Sequence, residues 1–327
     1  MSEPGAATTA RRLPAPPPNV LRLLHGYAIV FAVLALFLVL TFASEAFLTK
    51  TNLLNILSQN APLGIIACGA TLVIVGGGFD LSVGAIFAVC GVIAAWTANH
   101  VSPEVGIAVG MAAGLLFGAF NGFLVAGLGI NAFIATIASA LVFAGVAELI
   151  TGGELILVEA HSFSRLGLGE VASVRYSVLI FAGLLAAFWF LLARTSLGAA
   201  IYAVGGNSEA ARLSGVRVAA IRVATFMLSG LTAAVAGVLA ASRVSTGQSD
   251  AGAGLELQAI AAVVIGGTSI MGGEGAVWRT ALGVMLLALI VNGFNILNVD
   301  PVWQGITQGA IILGAVALDV RARRRAR

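Results

Sequence analysis

Residues 61–95 read APLGIIACGATLVIVGGGFDLSVGAIFAVCGVIAA, and this stretch contains a single charged residue, Asp80. The run on either side of Asp80 is apolar and approaches the roughly 20 residues that an α-helix needs to cross a bilayer. Three consecutive glycines at 76–78 weaken helix continuity between the two runs. The stretch therefore predicts two membrane-spanning helices that are separated by a glycine-rich break.

The composition of the whole chain extends this prediction. Of 327 residues, 59% are hydrophobic and 9% are charged, and the mean hydropathy is +1.04. Soluble domains carry about 25% charged residues because their surface faces water. The 41 glycines suit close helix packing in a lipid bilayer. We predict an all-α membrane protein, a polytopic helical bundle of about ten transmembrane helices with glycine-interrupted segments.

Ten segments of the chain are apolar enough to be predicted as spans. The first is favoured as an uncleaved helix over a signal peptide, because its apolar run is longer than a typical signal-peptide core and further spans follow. The eighth is short and interrupted by glycine, so nine spans or a re-entrant segment remain open. The predicted spans are Tyr27–Ala43, 61–79, 82–98, 104–127, 131–150, 176–193, 223–243, 258–272, 279–297 and 302–319.

The arginines indicate the orientation, because Lys and Arg favour the cytoplasmic ends of spans. They concentrate in the segments 1–24, 194–222 and 321–327. We predict two cytoplasmic termini: a disordered tail over 1–24 and a basic tail over 321–327, flanking a transmembrane domain over 25–320 with a cytoplasmic loop at 194–222. This use of basic residues accounts for the net charge of +3 without a nucleic-acid partner.

The break at 75–84 contains the first candidate site. A charge at the bilayer centre costs about 2.5–3.5 kcal/mol on insertion scales, so Asp80 is a functional candidate. Two readings stay open and are compatible: Asp80 or Ser82 caps the helix that follows, or Asp80 lines the path. A similar glycine-rich, acidic break lies at 264–275, and interrupted segments in corresponding halves indicate a central pathway. The candidate residues of the first break are Gly76, Gly77, Gly78, Phe79, Asp80 and Ser82.

The cytoplasmic loop contains the second candidate site. Its sequence AVGGNSEAARLSGV, 203–216, predicts a short helix outside the membrane. An N-cap at Asn207 or Ser208, an acidic first turn and a glycine stop fit such a helix, and its small residues fit a docking element. The candidate residues are Asn207, Glu209, Ala210, Ala211, Arg212 and Gly215.

Catalytic and nucleotide-binding signatures are missing from the sequence. A Walker A loop needs Gly-Lys-Ser/Thr, and Lys50 is the only lysine. Cys68 and Cys90 lie in apolar runs, and the three histidines have no metal-ligand spacing. We expect no enzyme activity, no cofactor and no metal, and any ATP must be bound by another chain.

The motifs resemble one known family, the permease subunits of bacterial ABC importers for sugars of the ribose, xylose and galactoside type. The resemblance covers about residues 50–320 and is carried by Gly78–Gly84, by 203–215 and by 272–295, which ends in Asn292-Gly293-Phe294-Asn295. Arg279 departs from it, because a small residue is expected there.

The resemblance implies a location in the bacterial inner membrane and several partners. These are a cytoplasmic ABC ATPase, an extracytoplasmic solute-binding protein and a second permease copy, most simply the same chain. It also implies that Asn207–Gly215 is the ATPase-coupling helix and adds Asn292 and Asn295 to the path residues. The alternatives are a related ABC permease for branched-chain amino acids and an ion-driven secondary transporter.

Overall fold

A computed structural model describes residues 20–300, 302–307, 309–311, 313, 314 and 317. Most of this part of the chain is helical, and the strands are only two residues long. In chain order the elements are α1 (Val20–Ala43), α2 (Lys50–Val75), α3 (Val83–His100), α4 (Pro103–Ala126), α5 (Ala132–Thr151), β1 (Ile156–Leu157), α6 (His161–Leu168), β2 (Glu170–Val171), β3 (Val174–Arg175), α7 (Tyr176–Arg194), α8 (Ser196–Gly206), α9 (Ser208–Leu213), α10 (Val218–Val244), β4 (Thr246–Gly247), α11 (Leu255–Ile265) and α12 (Val277–Ile296).

Seven helices within the described ranges are long and apolar enough to cross a membrane: α2, α3, α4, α5, α7, α10 and α12. They correspond to seven of the ten predicted spans, and they confirm the all-α, polytopic class. The eighth predicted span, 258–272, contains only the 11-residue helix α11. At 1.5 Å per residue such a helix covers roughly half of the bilayer core. The full crossing predicted there is wrong, because the chain leaves the helix at Gly266 and Gly267, where Gly267 has a φ of +82°.

Both ends of the chain differ from the predicted boundaries or lie partly outside the described residues. Helix α1 begins at Val20, so the last residues of the predicted tail 1–24 are helical, because α1 contains no proline and its first turns are rich in leucine. Residues 1–19 of that tail lie outside the described part of the chain, as does the basic tail 321–327. Of the predicted span 302–319, residues 302–307 and 309–311 are helical.

Helix α2 begins at Lys50 and not at residue 61, because polar side chains support its first turns. The Thr49 hydroxyl caps the helix by accepting from the backbone N–H of Asn52. The Asn60 side chain donates to the carbonyl of Ile56 in the same helix. A search for apolar runs therefore misses these turns, although they are helical.

Helix α10 packs against α2, α3 and α4 in the centre of the bundle. The contact with α4 depends on a row of glycines four residues apart, which lets the two backbones approach closely. A side chain at Gly114 would lie 2.5 Å from the carbonyl oxygen of Gly230. The stripe on α4 consists of Gly106, Gly110, Gly114, Gly118 and Gly122, all of them buried.

The loop at 151–175 folds against one end of the bundle. Its helix α6 is held by Ser242 of α10, which donates to the carbonyl of Phe163 and accepts from the N–H of Gly167. The loop at 194–222 was predicted to contain one short helix, but the apolar helix α8 precedes α9. This addition follows from the run Leu197–Val204, whose apolar side chains pack against α7 and α10.

Candidate functional site

The first glycine break is a tight turn at the end of α2. Gly77 adopts a φ of +79°, which favours glycine. The N–H groups of Gly76 and Gly78 donate to the carbonyls of Leu72 and Val73, and these bonds close the helix end. Helix α2 therefore ends at Val75, and the N–H groups of Gly76 and Gly78 in the turn that follows are hydrogen-bonded.

Asp80 is buried directly after this break and accepts three hydrogen bonds. Its Oδ1 accepts from the Ser82 N–H at 3.0 Å and from the Ser82 hydroxyl at 2.6 Å. Its Oδ2 accepts from the Ser229 hydroxyl of α10 at 2.8 Å. The Ser82 hydroxyl in turn accepts from the Asn121 amide of α4 at 2.7 Å. The carboxylate thus ties the start of α3 to both α10 and α4.

This network changes the capping interpretation. Ser82 occupies the N-cap position of α3, but its side chain makes no capping bond. Asp80 lies two residues earlier, and its backbone partner is the N–H of Ser82 itself. Its other contacts are tertiary, because Ser229 is far away in sequence. Asp80 therefore links helices, and it also closes a local turn through its hydrogen bond to the Ser82 N–H.

A cavity of about 500 Å³ lies beside the break. Gly76, Gly77, Gly78 and Phe79 line it, and Arg222, Asn131 and Thr225 supply its polar groups. Asp80 and Ser82 are not among its lining residues. The break itself faces a polar space, whereas the carboxylate lies behind it in the helix packing.

The structure brings the two glycine breaks together. The N–H of Gly273 donates to the carbonyl of Val75 at 2.8 Å. A side chain at Gly272 would lie 2.8 Å from the Cα of Gly77. A side chain at Gly205, near the end of α8, would collide with the carbonyl oxygen of Val75. Three glycine-rich segments therefore meet, and we name residues 75–78, 205–206 and 272–273 the glycine junction.

The predicted coupling helix is present as α9 and directly follows this junction. Asn207 caps it by accepting from the Ala210 N–H at 2.9 Å. Glu209 and Arg212 form an exposed ion pair with a shortest distance of 2.6 Å. The Arg212 hydrogen bond lowers the pKa of the Glu209 carboxyl, and the same contact raises the pKa of Arg212. Gly215 ends the segment with a φ of +86°.

The two alanines of α9 face different environments. Ala210 is exposed, whereas Ala211 is buried against the bundle. The interpretation of both as docking residues therefore needs correction for Ala211, because it packs inward. Leu213 is 73% exposed at the end of the helix and was not predicted. A leucine beside Glu209 and Arg212 on a six-residue helix is the signal that marks it.

Asn292 and Asn295 lie away from the glycine junction. Asn292 and Asn52 exchange two side-chain hydrogen bonds, of 2.8 and 3.2 Å, and these join α12 to α2. The Asn295 side chain accepts from Gln304 at 2.9 Å. Both residues hold helices together in the structure, and neither lines the cavity beside the first break.

This arrangement defines a class of protein. Interrupted helices that meet inside a polytopic bundle are typical of transport proteins, and an exposed short helix is joined to their meeting point. Within the described residues, no group of three His, Cys, Asp or Glu side chains is placed to hold a metal ion. The fold and the site are those of a membrane transport permease.

The chain belongs to the family described as "Branched-chain amino acid transport system / permease component", whose model matches residues 52–316. It is 40% identical to the ribose import permease protein RbsC of Escherichia coli K12 over 295 residues, which cover 89% of this chain and 92% of the relative. It is 38% identical to the RbsC of Bacillus subtilis 168, over 87% of this chain and 89% of that protein. The L-arabinose transport system permease protein AraH of Escherichia coli K12 is 36% identical over 90% of each chain. No solved structure matches the chain.

Proposed function

We propose that this chain is the membrane-spanning permease subunit of an ATP-driven importer for a monosaccharide. The observation that carries the proposal is its similarity, over most of both lengths, to import permeases for ribose and L-arabinose. The family description names branched-chain amino acids, but the relatives described above are named for ribose and L-arabinose. A sugar substrate is therefore favoured over an amino acid.

The geometry supports a coupling route from a cytoplasmic ATPase. Helix α9 offers an exposed surface that includes Ala210 and Leu213, and α8 joins it to the glycine junction. A displacement of α9 would move Gly205 against Val75, because their backbones are in contact. Movement of the ATPase would thus reach both helix breaks at once. Transport would involve a second copy of the chain and a binding protein on the opposite side.

The orientation is part of the proposal. The concentration of arginines places α9 in the cytoplasm and the loop with α6 outside. A cysteine at Ser162 is expected to react with an impermeant thiol reagent added to intact cells, whereas one at Ser208 reacts only after permeabilisation. Both positions are on short helices of extramembrane loops, so they form a matched pair. Equal labelling of the two in intact cells contradicts this orientation.

Transport in proteoliposomes tests the function. The permease is reconstituted with its ATPase and binding protein, ATP is enclosed with the ATPase, and uptake of labelled D-ribose or L-arabinose is measured. We expect uptake that requires ATP and the binding protein and that persists when ionophores remove ion gradients. An ATPase without its Walker A lysine is the matched control. Uptake that follows a proton or sodium gradient, or that accepts only L-leucine, contradicts the proposal.

A further inference from the structure

A second cavity, of about 410 Å³, lies inside the subunit. Its walls come from α2, α3, α10 and α11, and Gly167 of α6 also lines it. A side chain at Gly167 would collide with the backbone of Arg243, so α6 is pressed closely onto this end of α10. In the proposed orientation, the cavity occupies the outer half of the bundle and lies beneath the outer loop.

Most of the cavity wall is apolar, and a small group of polar side chains of a particular kind lies within it. Its amide side chains include Gln59, Asn60 and Gln258, and Arg243 adds a guanidinium group. Within the described residues, no Asp or Glu lines it. Amides both donate and accept hydrogen bonds, whereas guanidinium only donates. Such a lining matches hydroxyl groups, which also donate and accept.

Ser177 also contributes to the wall of the cavity and is only 5% exposed. Its hydroxyl has no hydrogen-bond partner in the described chain, but it is buried within the wall and does not belong to the polar surface that a ligand could contact.

We propose that this cavity is a binding subsite for a neutral, polyhydroxylated ligand, a monosaccharide, on its way through the permease. The volume lies within the roughly 300–1,000 Å³ typical of small-molecule sites. An amino acid fits less well, because no described carboxylate is present to pair with its ammonium group. The inference rests on the proposed function and adds a place within one subunit where the sugar is held.

Protection of an introduced cysteine tests the subsite in the complete transporter. Thr246→Cys places a thiol in the lining, and Ser173→Cys places one on the exposed β2–β3 turn as a matched control. The native Cys68 and Cys90 are buried, so the unsubstituted protein measures the background. Labelling by a small thiol reagent is followed while D-ribose, L-arabinose or L-leucine is added.

We expect either sugar to slow labelling of Thr246→Cys, by about threefold at twice its dissociation constant, because the free fraction falls as 1/(1 + [L]/Kd). Ser173→Cys is expected to label at an unchanged rate, and L-leucine to have no effect. Absence of protection by sugar, equal slowing at both cysteines, or protection by L-leucine alone overturns the proposal.

Gln258→Leu provides a second measurement that separates ligand contact from a structural role. We expect lower sugar uptake and weaker protection of Thr246→Cys, while ATPase stimulation by the binding protein is retained and Gln258→Asn partly restores uptake. Loss of both uptake and ATPase stimulation would indicate a structural role and contradict the subsite. Sugar uptake by the wild type without any protection overturns the cavity assignment alone. Absence of both sugar uptake and cysteine protection overturns the proposed function as well.

Discussion

Replacement of Asp80 separates its charge from its hydrogen bonds. The carboxylate accepts from the Ser82 N–H, the Ser82 hydroxyl and the Ser229 hydroxyl. Asp80→Ala removes both acceptor oxygens, and with them all three hydrogen bonds, in a buried place. Asp80→Asn keeps one carbonyl oxygen for the two Ser82 donors and turns an amide N–H towards Ser229. The Ser229 hydroxyl can accept this bond by rotating towards a carbonyl of its own helix.

The expected loss in the free energy of unfolding follows from the number of buried hydrogen-bonding groups that each Asp80 variant leaves unpaired. A buried donor that loses its acceptor costs about 1–3 kcal/mol. In Asp80→Ala the two hydroxyls can rotate to other acceptors, but the Ser82 N–H cannot, so we expect a loss of about 3 kcal/mol in the free energy of unfolding. Asp80→Asn loses the charge assistance of its bonds and adds a second amide N–H, but it keeps an acceptor for the Ser82 N–H, and we expect a loss of about 1 kcal/mol.

The assay measures unfolding in mixed micelles together with sugar uptake normalised to inserted protein. Asp80→Asn is expected to retain substantial uptake, whereas Asp80→Ala loses both uptake and stability. Ser229→Ala provides a double-mutant cycle: its effect should shrink in the Asp80→Ala background, because the two side chains bond each other. An inactive Asp80→Asn variant with wild-type stability would refute this reasoning and make the charge itself essential to transport.

Three further predictions concern the glycine junction and α9. Gly205→Ala should destabilise the protein by about 1–3 kcal/mol through overpacking. Gly206→Ala should not, since the nearest atom to its Cβ is 4.0 Å away. Equal unfolding free energies for the two variants would contradict the close junction. Ala210→Arg should abolish co-purification of the ATPase while leaving the permease stable. Ala211→Arg should instead lower the yield and stability of the permease. ATPase binding by a stable Ala210→Arg variant would refute docking at α9. Leu213→Ser should weaken ATPase binding about tenfold or more, consistent with an anchor at the centre of an interface, as measured by titration, and an unchanged affinity would exclude that anchor.

Much of the fold could be read from local sequence. Long apolar runs interrupted by charged or glycine-rich segments predict spans because lipid requires internally bonded helices. The seven crossing helices follow those runs, and Asn207 caps α9 as its residue type predicts. Two observed boundaries differ from the predicted ones: the start of α2 at Lys50 and the end of α11. At both places the extent of the apolar run does not match the extent of the helix. Polar turns can be helical, and an apolar run can end early at glycine.

The tertiary structure decided which residues work together. Asp80 and Ser229 are joined by a side-chain hydrogen bond although helices α3 to α9 lie between them in sequence. No local sequence pattern predicts that the two glycine breaks meet. None predicts that the side chain of Ala211 packs inward. Likewise, Asn292 matches a family motif but bonds Asn52 in the structure. Residue type and spacing determine what a segment can form, whereas contacts between distant segments depend on how whole helices pack. For this reason the sequence determined a helical membrane protein with two glycine breaks and the short helix α9, and only the packing determined the junction that connects them.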